Sequence, residues 1–438
     1  MPIVDVHCHL CNADDVPIRG MVAARGYPGW FADFVDKILQ GLARDTADGR
    51  YRIENDDDDH RIREALEEVI HNDYDELSGE LDRIDSPQRD RVQRGGDAPG
   101  NIDYLRWAFL LVTSSRRLAR TMVRRFDKVD LFIPLITDME HWFDDPVTTS
   151  IQDQIVKTQR ILQGEYKGKI HAFVPFDPYR QVQASRHGTA YTPLEMIKDA
   201  IDNRGFLGVK VYPAMGYVPA ENSRFIPGVG IGDAFDAAFR QLCDYCQSEE
   251  VPITTHCSPG GAEPYRRSGA WGNPGFWAGV LKEFPRLHVN FAHFGGAHES
   301  LWKPAASWAW CIGELAQRYE HVYSDLSYFV YICEQERRKR YAPFFSALLQ
   351  KYPVLWQRLM YGSDWHMIVP EKGQGTYFDK WQEGMHYLCE AAGVAADEVM
   401  DDINGLTALR FLGLTPGGRN RDRLRAWYSQ DEQPSWLS

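Results

Sequence analysis

Residues 4–10, VDVHCHL, set two histidines one residue apart inside an apolar run. Side chains two apart on a strand point the same way, so Asp5, His7 and His9 share one face while Val4, Val6 and Cys8 take the other. The first face is oddly polar for a core strand. Seven more short apolar runs follow from residue 128 onward: VDLFIPLI (129–136), KIHAFVPF (169–176), FLGVKVYP (206–213), VPITTHCS (251–258), LHVNFAHFGG (287–296), HVYSDLSY (321–328) and RLMYGSDW (358–365). Between them lie helix-spaced segments such as Pro193–Asn203, Asp233–Glu249, Pro274–Phe284, Ser307–Tyr319 and Tyr341–Lys351. Strands alternating with helices in this number predict an α/β protein of the (β/α)8 TIM barrel type. A doubly wound open sheet shares the rhythm, but the first strand-to-helix turn has no GxGxxG and no Walker A loop is present.

Residues 11–126 interrupt the alternation. Their apolar positions recur at helical spacing, with one stripe at Phe31, Phe34, Val35, Ile38 and Leu42 and another at Ile62, Leu66, Val69 and Tyr74. A third helix is expected near residues 104–123. The segment reads as a helical insertion after the first strand of a single barrel domain spanning residues 1–438. Placed above the barrel mouth it would serve equally well as a substrate wall or as a homodimer interface.

The composition agrees with a soluble enzyme-sized barrel: 438 residues, 44% hydrophobic and 25% charged. A formal net charge of −13 argues against nucleic acid as a partner and leaves a small-molecule substrate. No signal-peptide pattern and no run near the roughly 20 apolar residues of a membrane span is visible, so a cytoplasmic location without membrane attachment is the expectation. The eight scattered cysteines suit reduced core thiols, and the CxxC of Cys243 and Cys246 falls in a helical pattern with no second pair nearby.

Barrel chemistry sits at the C-terminal ends of the strands. Those ends carry His7 and His9 on the first run, Lys210 on the fourth, His256 on the fifth, His293 on the sixth and Asp364 on the eighth. A divalent cation needs such a convergence of imidazole and carboxylate, and an apolar core rejects it. The HxH spacing has a mechanical reason, because residues i and i+2 of one rigid strand can reach one ion.

The runs VDVHCHL, GVKVYP, TTHCS, FAHFGG and YGSDW, in that order, resemble the metal-dependent amidohydrolase superfamily in its amidohydrolase-related (amidohydrolase 2) branch. DDINGLTALRFLGL, around Asn404, resembles the closing helix of that branch. The resemblance implies that His7, His9 and Asp364 bind one ion. In binuclear relatives a fourth-strand lysine, carboxylated by carbon dioxide, bridges to a second ion held by the fifth- and sixth-strand histidines; Lys210, His256 and His293 stand at those places. In mononuclear relatives the lysine stays an amine, the one ion is held by the HxH pair, the fifth-strand histidine and the aspartate, and His293 would be a catalytic residue beside it. Zinc suits the ligand set best, and manganese or iron would bind it too.

Such a site lowers the pKa of a bound water and polarises a carbonyl, with Asp364 as general base. Hydrolysis of an amide, ester or lactone of a small cyclic or aromatic substrate is the leading expectation. The same branch includes non-oxidative decarboxylases of aromatic or unsaturated carboxylic acids, which is the alternative. Arg266, Arg267, Tyr212 and Trp365, in loops beyond the ligands, are the candidate substrate contacts. Cys8 should face away from the metal, and Asp325 could orient a ligand histidine.

Overall fold

The computed structural model describes residues 1–24, 110–189, 191–226, 230–265, 267–296, 307–369 and 374–437. Eight parallel strands form the barrel: β1 (Val4–Cys8), β2 (Leu131–Pro134), β3 (Ala172–Pro175), β4 (Phe206–Val211), β5 (Ile253–Thr255), β6 (Val289–Phe291), β7 (Val322–Asp325) and β8 (Leu359–Met360). Each lies inside one of the eight apolar runs. β1 pairs with β2, and β3 to β8 pair consecutively. Bridges at Phe132 to Ile170 and Leu135 to Phe173 join β2 to β3, and Cys8 to Trp365 joins β1 to the chain just past β8. Among the described residues the ring is therefore closed.

The helices predicted between strands are present. Pro193–Asn203 is reproduced, opened by a capping box between Thr192 and Glu195. Gln335–Lys351 begins six residues earlier than the apolar spacing suggested, because its first turns are charged and exposed and carry no periodic signal. Near the end of the expected insertion a helix spans Ser115–Arg125, and it starts where the Ser114 side chain accepts from the Arg117 N–H. The stripes at residues 31–42 and 62–74 lie outside the described residues.

Val209, Val211, Ile253, Val289 and Val322 join the surrounding helices in the larger core cluster. Phe173, Leu207, Tyr323 and Met360 meet Phe411, Leu412 and Trp436 of the C-terminal segment in a second cluster. Gly208 permits this second packing, since a Cβ there would stand 2.4 Å from the Phe173 ring and 2.6 Å from the Pro252 carbonyl. All eight cysteines are free, and Cys243 and Cys246 are buried on one helix. Among the described residues no helix is long and apolar enough to cross a membrane.

Candidate metal centre

Pairing across the barrel seam assembles the first ligand group. The Val6 N–H donates to the Tyr361 carbonyl at 3.2 Å and the Asp364 N–H to the His7 carbonyl at 2.8 Å, which brings the chain after β8 alongside β1. Asp364 adopts a left-handed backbone, φ 56°. Non-glycine residues take that conformation at a cost, and such positions concentrate at functional sites. Its Oδ1 lies 3.1 Å from His9 Nε2 and 3.5 Å from His7 Nε2, with no donor aligned on it. These ligand atoms all fall within 4.8 Å of one another.

Proton positions follow from the partners. His7 Nδ1 lies 3.1 Å from Asp325 Oδ2, and His9 Nδ1 lies 3.1 Å from the Leu135 carbonyl. Carbonyls and carboxylates only accept, so both rings carry the proton on Nδ1 and turn an Nε2 lone pair toward Asp364. Burial holds His7 neutral by pulling its pKa down to about 3. Burial alone would raise the Asp364 carboxyl; a positive charge at His9, His293 or His7 would instead hold it well below the usual carboxylate range. Two lone pairs and a carboxylate oxygen facing one another repel unless a cation lies among them, so this group fits a divalent metal.

A second pair stands beside the first. His256 Nε2 donates to the Gly260 carbonyl at 2.9 Å, which leaves its lone pair on Nδ1. That Nδ1 lies 3.2 Å from His293 Nε2. The Ser327 hydroxyl donates to Asp325 Oδ1 in a short contact, so its oxygen accepts from His293 Nδ1 at 2.8 Å. His293 Nε2 is then also a lone pair. Burial pushes both imidazoles below their ordinary pKa, which disfavours a proton shared between them. With metal–nitrogen bonds of about 2.0–2.1 Å, two nitrogens on one tetrahedral ion sit about 3.3 Å apart.

His7, His293 and Asp325 also form a close trio. Asp325, however, is taken up in orienting others: it accepts from Asn290 Nδ2 at 2.7 Å, the His293 N–H at 2.9 Å, the Ser327 N–H at 3.1 Å and His7 Nδ1. This is the orienting contact expected of it. Lys210 is 1% exposed, and its Nζ has no hydrogen-bond partner. Burial draws its ammonium down to about 8.

The candidate substrate contacts separate. The Tyr212 ring stacks on His256, centroids 4.1 Å apart and planes 10° apart. Arg267 is exposed on the loop after β5, and Arg266 lies outside the described residues. Trp365 is fully buried, packed against Phe126 at 5.9 Å between centroids and under the Arg125 guanidinium. It belongs to the core beside the helix Ser115–Arg125, because pairing of its backbone with Cys8 sets it in the barrel wall. Ser327, Asn290 and the carbonyls of Leu135 and Gly260 were not singled out from sequence. Their residue types are common and their contacts are long-range.

The amidohydrolase family profile matches residues 186–414, just over half of the chain, and the protein belongs to that family. A search of curated proteins gives no match. Among solved structures, an uncharacterized TIM-barrel protein from Bordetella bronchiseptica is similar at 14% identity and TM-score 0.47, covering 94% of this chain and 98% of its own. A probable 2-pyrone-4,6-dicarboxylic acid hydrolase from Acinetobacter baumannii, with citric acid bound, is similar at 10% identity and TM-score 0.40, covering 67% of this chain and 88% of its own. A 5-carboxyvanillate decarboxylase from Novosphingobium aromaticivorans, complexed with manganese, is similar at 13% identity and TM-score 0.42, covering 67% and 80%.

Proposed function

We propose that the protein is a metal-dependent hydrolase acting on an amide, ester or lactone carbonyl of a small cyclic or aromatic substrate. The observation that carries this reading is the convergence of ring lone pairs: two from His7 and His9 on Asp364, and two from His256 and His293 on each other. A bound divalent ion would supply Lewis acidity and a water with pKa near ~7. Zinc suits the nitrogen and oxygen donors, and manganese or iron fit the same set.

The chain's own part is positioning and proton transfer. Asp364, held ionised well below neutrality, takes the proton of the attacking water and returns it to the leaving group. Asp325 and Ser327 keep His7 and His293 in one tautomer and one orientation. Lys210, with an amine drawn down to about 8, would add carbon dioxide in its neutral form with release of a proton, and the carbamate so formed would offer oxygen donors to metal.

One observation favours a second reading, non-oxidative decarboxylation of an aromatic or unsaturated acid. If Lys210 stays an amine, its buried Nζ, which has no hydrogen-bond partner, is suited to hold a substrate carboxylate. Metal content per chain separates the two, measured on protein expressed with zinc or manganese and bicarbonate, with Lys210→Ala alongside. About two ions, falling to one in the variant, support the hydrolase. About one ion in both moves the decarboxylase first, and no bound metal refutes both.

A further inference from the structure

Tyr212 directly follows β4, two residues after Lys210, and it is clasped on three sides. Its ring lies flat on His256. Its hydroxyl accepts from the Ala262 N–H at 3.0 Å, and its own N–H donates to the Tyr217 hydroxyl at 2.8 Å. Tyr217 is itself 1% exposed, so the tyrosine has a rigid footing. The loop from His256 to Ala262 is thus tied at both ends to one side chain, by stacking at His256 and by hydrogen bonding at Ala262.

Between those ties stand Gly260, whose carbonyl accepts from His256 Nε2, and Gly261. Gly261 has φ 111°, a left-handed value, and a Cβ there would come within 2.3 Å of the Tyr212 hydroxyl and 2.9 Å of His256 Nε2. Glycine is needed on both counts. The loop is therefore pressed against the tyrosine, with the Gly260 carbonyl held on His256 in the same turn.

We infer that Tyr212 is a positioning residue: by splinting the 256–262 loop it holds the Gly260 carbonyl on His256 Nε2, and so fixes the tautomer that leaves Nδ1 free to bind metal. Tyr212 then acts on the ion through His256 rather than by touching substrate. The consequence for metal binding rests on the reading of His256 as a ligand given above. The tautomer itself does not.

The test uses metal-free, 15N-histidine-labelled protein, with the His256 signal assigned from a His256→Gln variant. Long-range proton–nitrogen correlation spectra should show His256 wholly Nε2-protonated in the wild type and a mixture of tautomers in Tyr212→Phe. Gly261→Ala, which pushes the same contact apart from the loop side, should give the same mixture and covers the case in which one variant fails to fold. Zinc titration should then show the first ion unchanged in Tyr212→Phe and the second weakened at least roughly tenfold. A His256 that stays Nε2-protonated in the folded variants, or is Nδ1-protonated in the wild type, overturns the inference. A wild type that binds one ion while its tautomers behave as stated refutes the two-ion reading and leaves the splint standing.

Discussion

His171, just before β3, and His9, just after β1, are both largely enclosed, yet their ring nitrogens are treated in opposite ways. At the barrel floor, His171 Nδ1 donates to the Gly205 carbonyl at 2.7 Å and Nε2 accepts from the Tyr428 hydroxyl at 2.6 Å. Trp427, Tyr428 and Trp436 stand edge-on around it. At the mouth, His9 has a partner for Nδ1 and faces another acceptor with Nε2. The floor histidine has every polar atom satisfied by the chain, whereas the mouth histidine is left half-satisfied in a way that a cation completes. Residue type alone does not separate structure from function here; the unmatched nitrogen does.

The comparison is exposed to four tests. Asp364→Asn should cost roughly 10³-fold or more in turnover on any substrate found by screening, since it removes the proposed base and a proposed ligand together. Retained turnover would remove the mouth from the chemistry. Trp436→Ala should lower stability by about 3–5 kcal/mol, read from denaturant unfolding, and leave metal content unchanged. A loss of metal in that variant would mean that floor and mouth are not separable.

Lys210→Met tests the cost of the orphaned amine. The unfolded chain keeps the lysine proton up to about 10.5 and the folded protein only up to about 8, so folding is penalised below pH 8 and the penalty fades as pH rises through 10.5. Metal-free Lys210→Met should accordingly gain on the order of 3 kcal/mol at pH 7 and little at pH 11, by thermal unfolding across pH. The smallest effect is expected of Tyr428→Phe, which deprives His171 Nε2 of its donor and should cost about 1–2 kcal/mol. If it costs nothing, the floor histidine is less committed than its contacts imply.

Much of this was legible in the sequence, for identifiable reasons. Strands recur as apolar runs because their side chains are buried on both sides of a barrel wall, and all eight runs contain a strand. His7, His9 and Asp364 stood out because ionisable groups at the ends of such runs are out of place unless used. Ser327 did not, since a serine after a strand is ordinary and its value lies in reaching His7, His293 and Asp325 at once. Trp365 misleads for the converse reason: adjacency to Asp364 suggests the site, but pairing of its backbone with Cys8 sets the ring in the barrel wall. Tyr212 was legible as a neighbour of the site and not as a splint, because the loop it holds comes from another strand.

The seam between β1 and the segment after β8 has a consequence for how the molecule is made. His9 and Asp364 come from nearly opposite ends of the chain and meet only when the ring closes. A ribosome must therefore finish the eighth strand before the first ligand group exists, and a product terminated earlier carries the HxH pair without its carboxylate. The contact between His9 and Asp364 thus reports that the ring has closed.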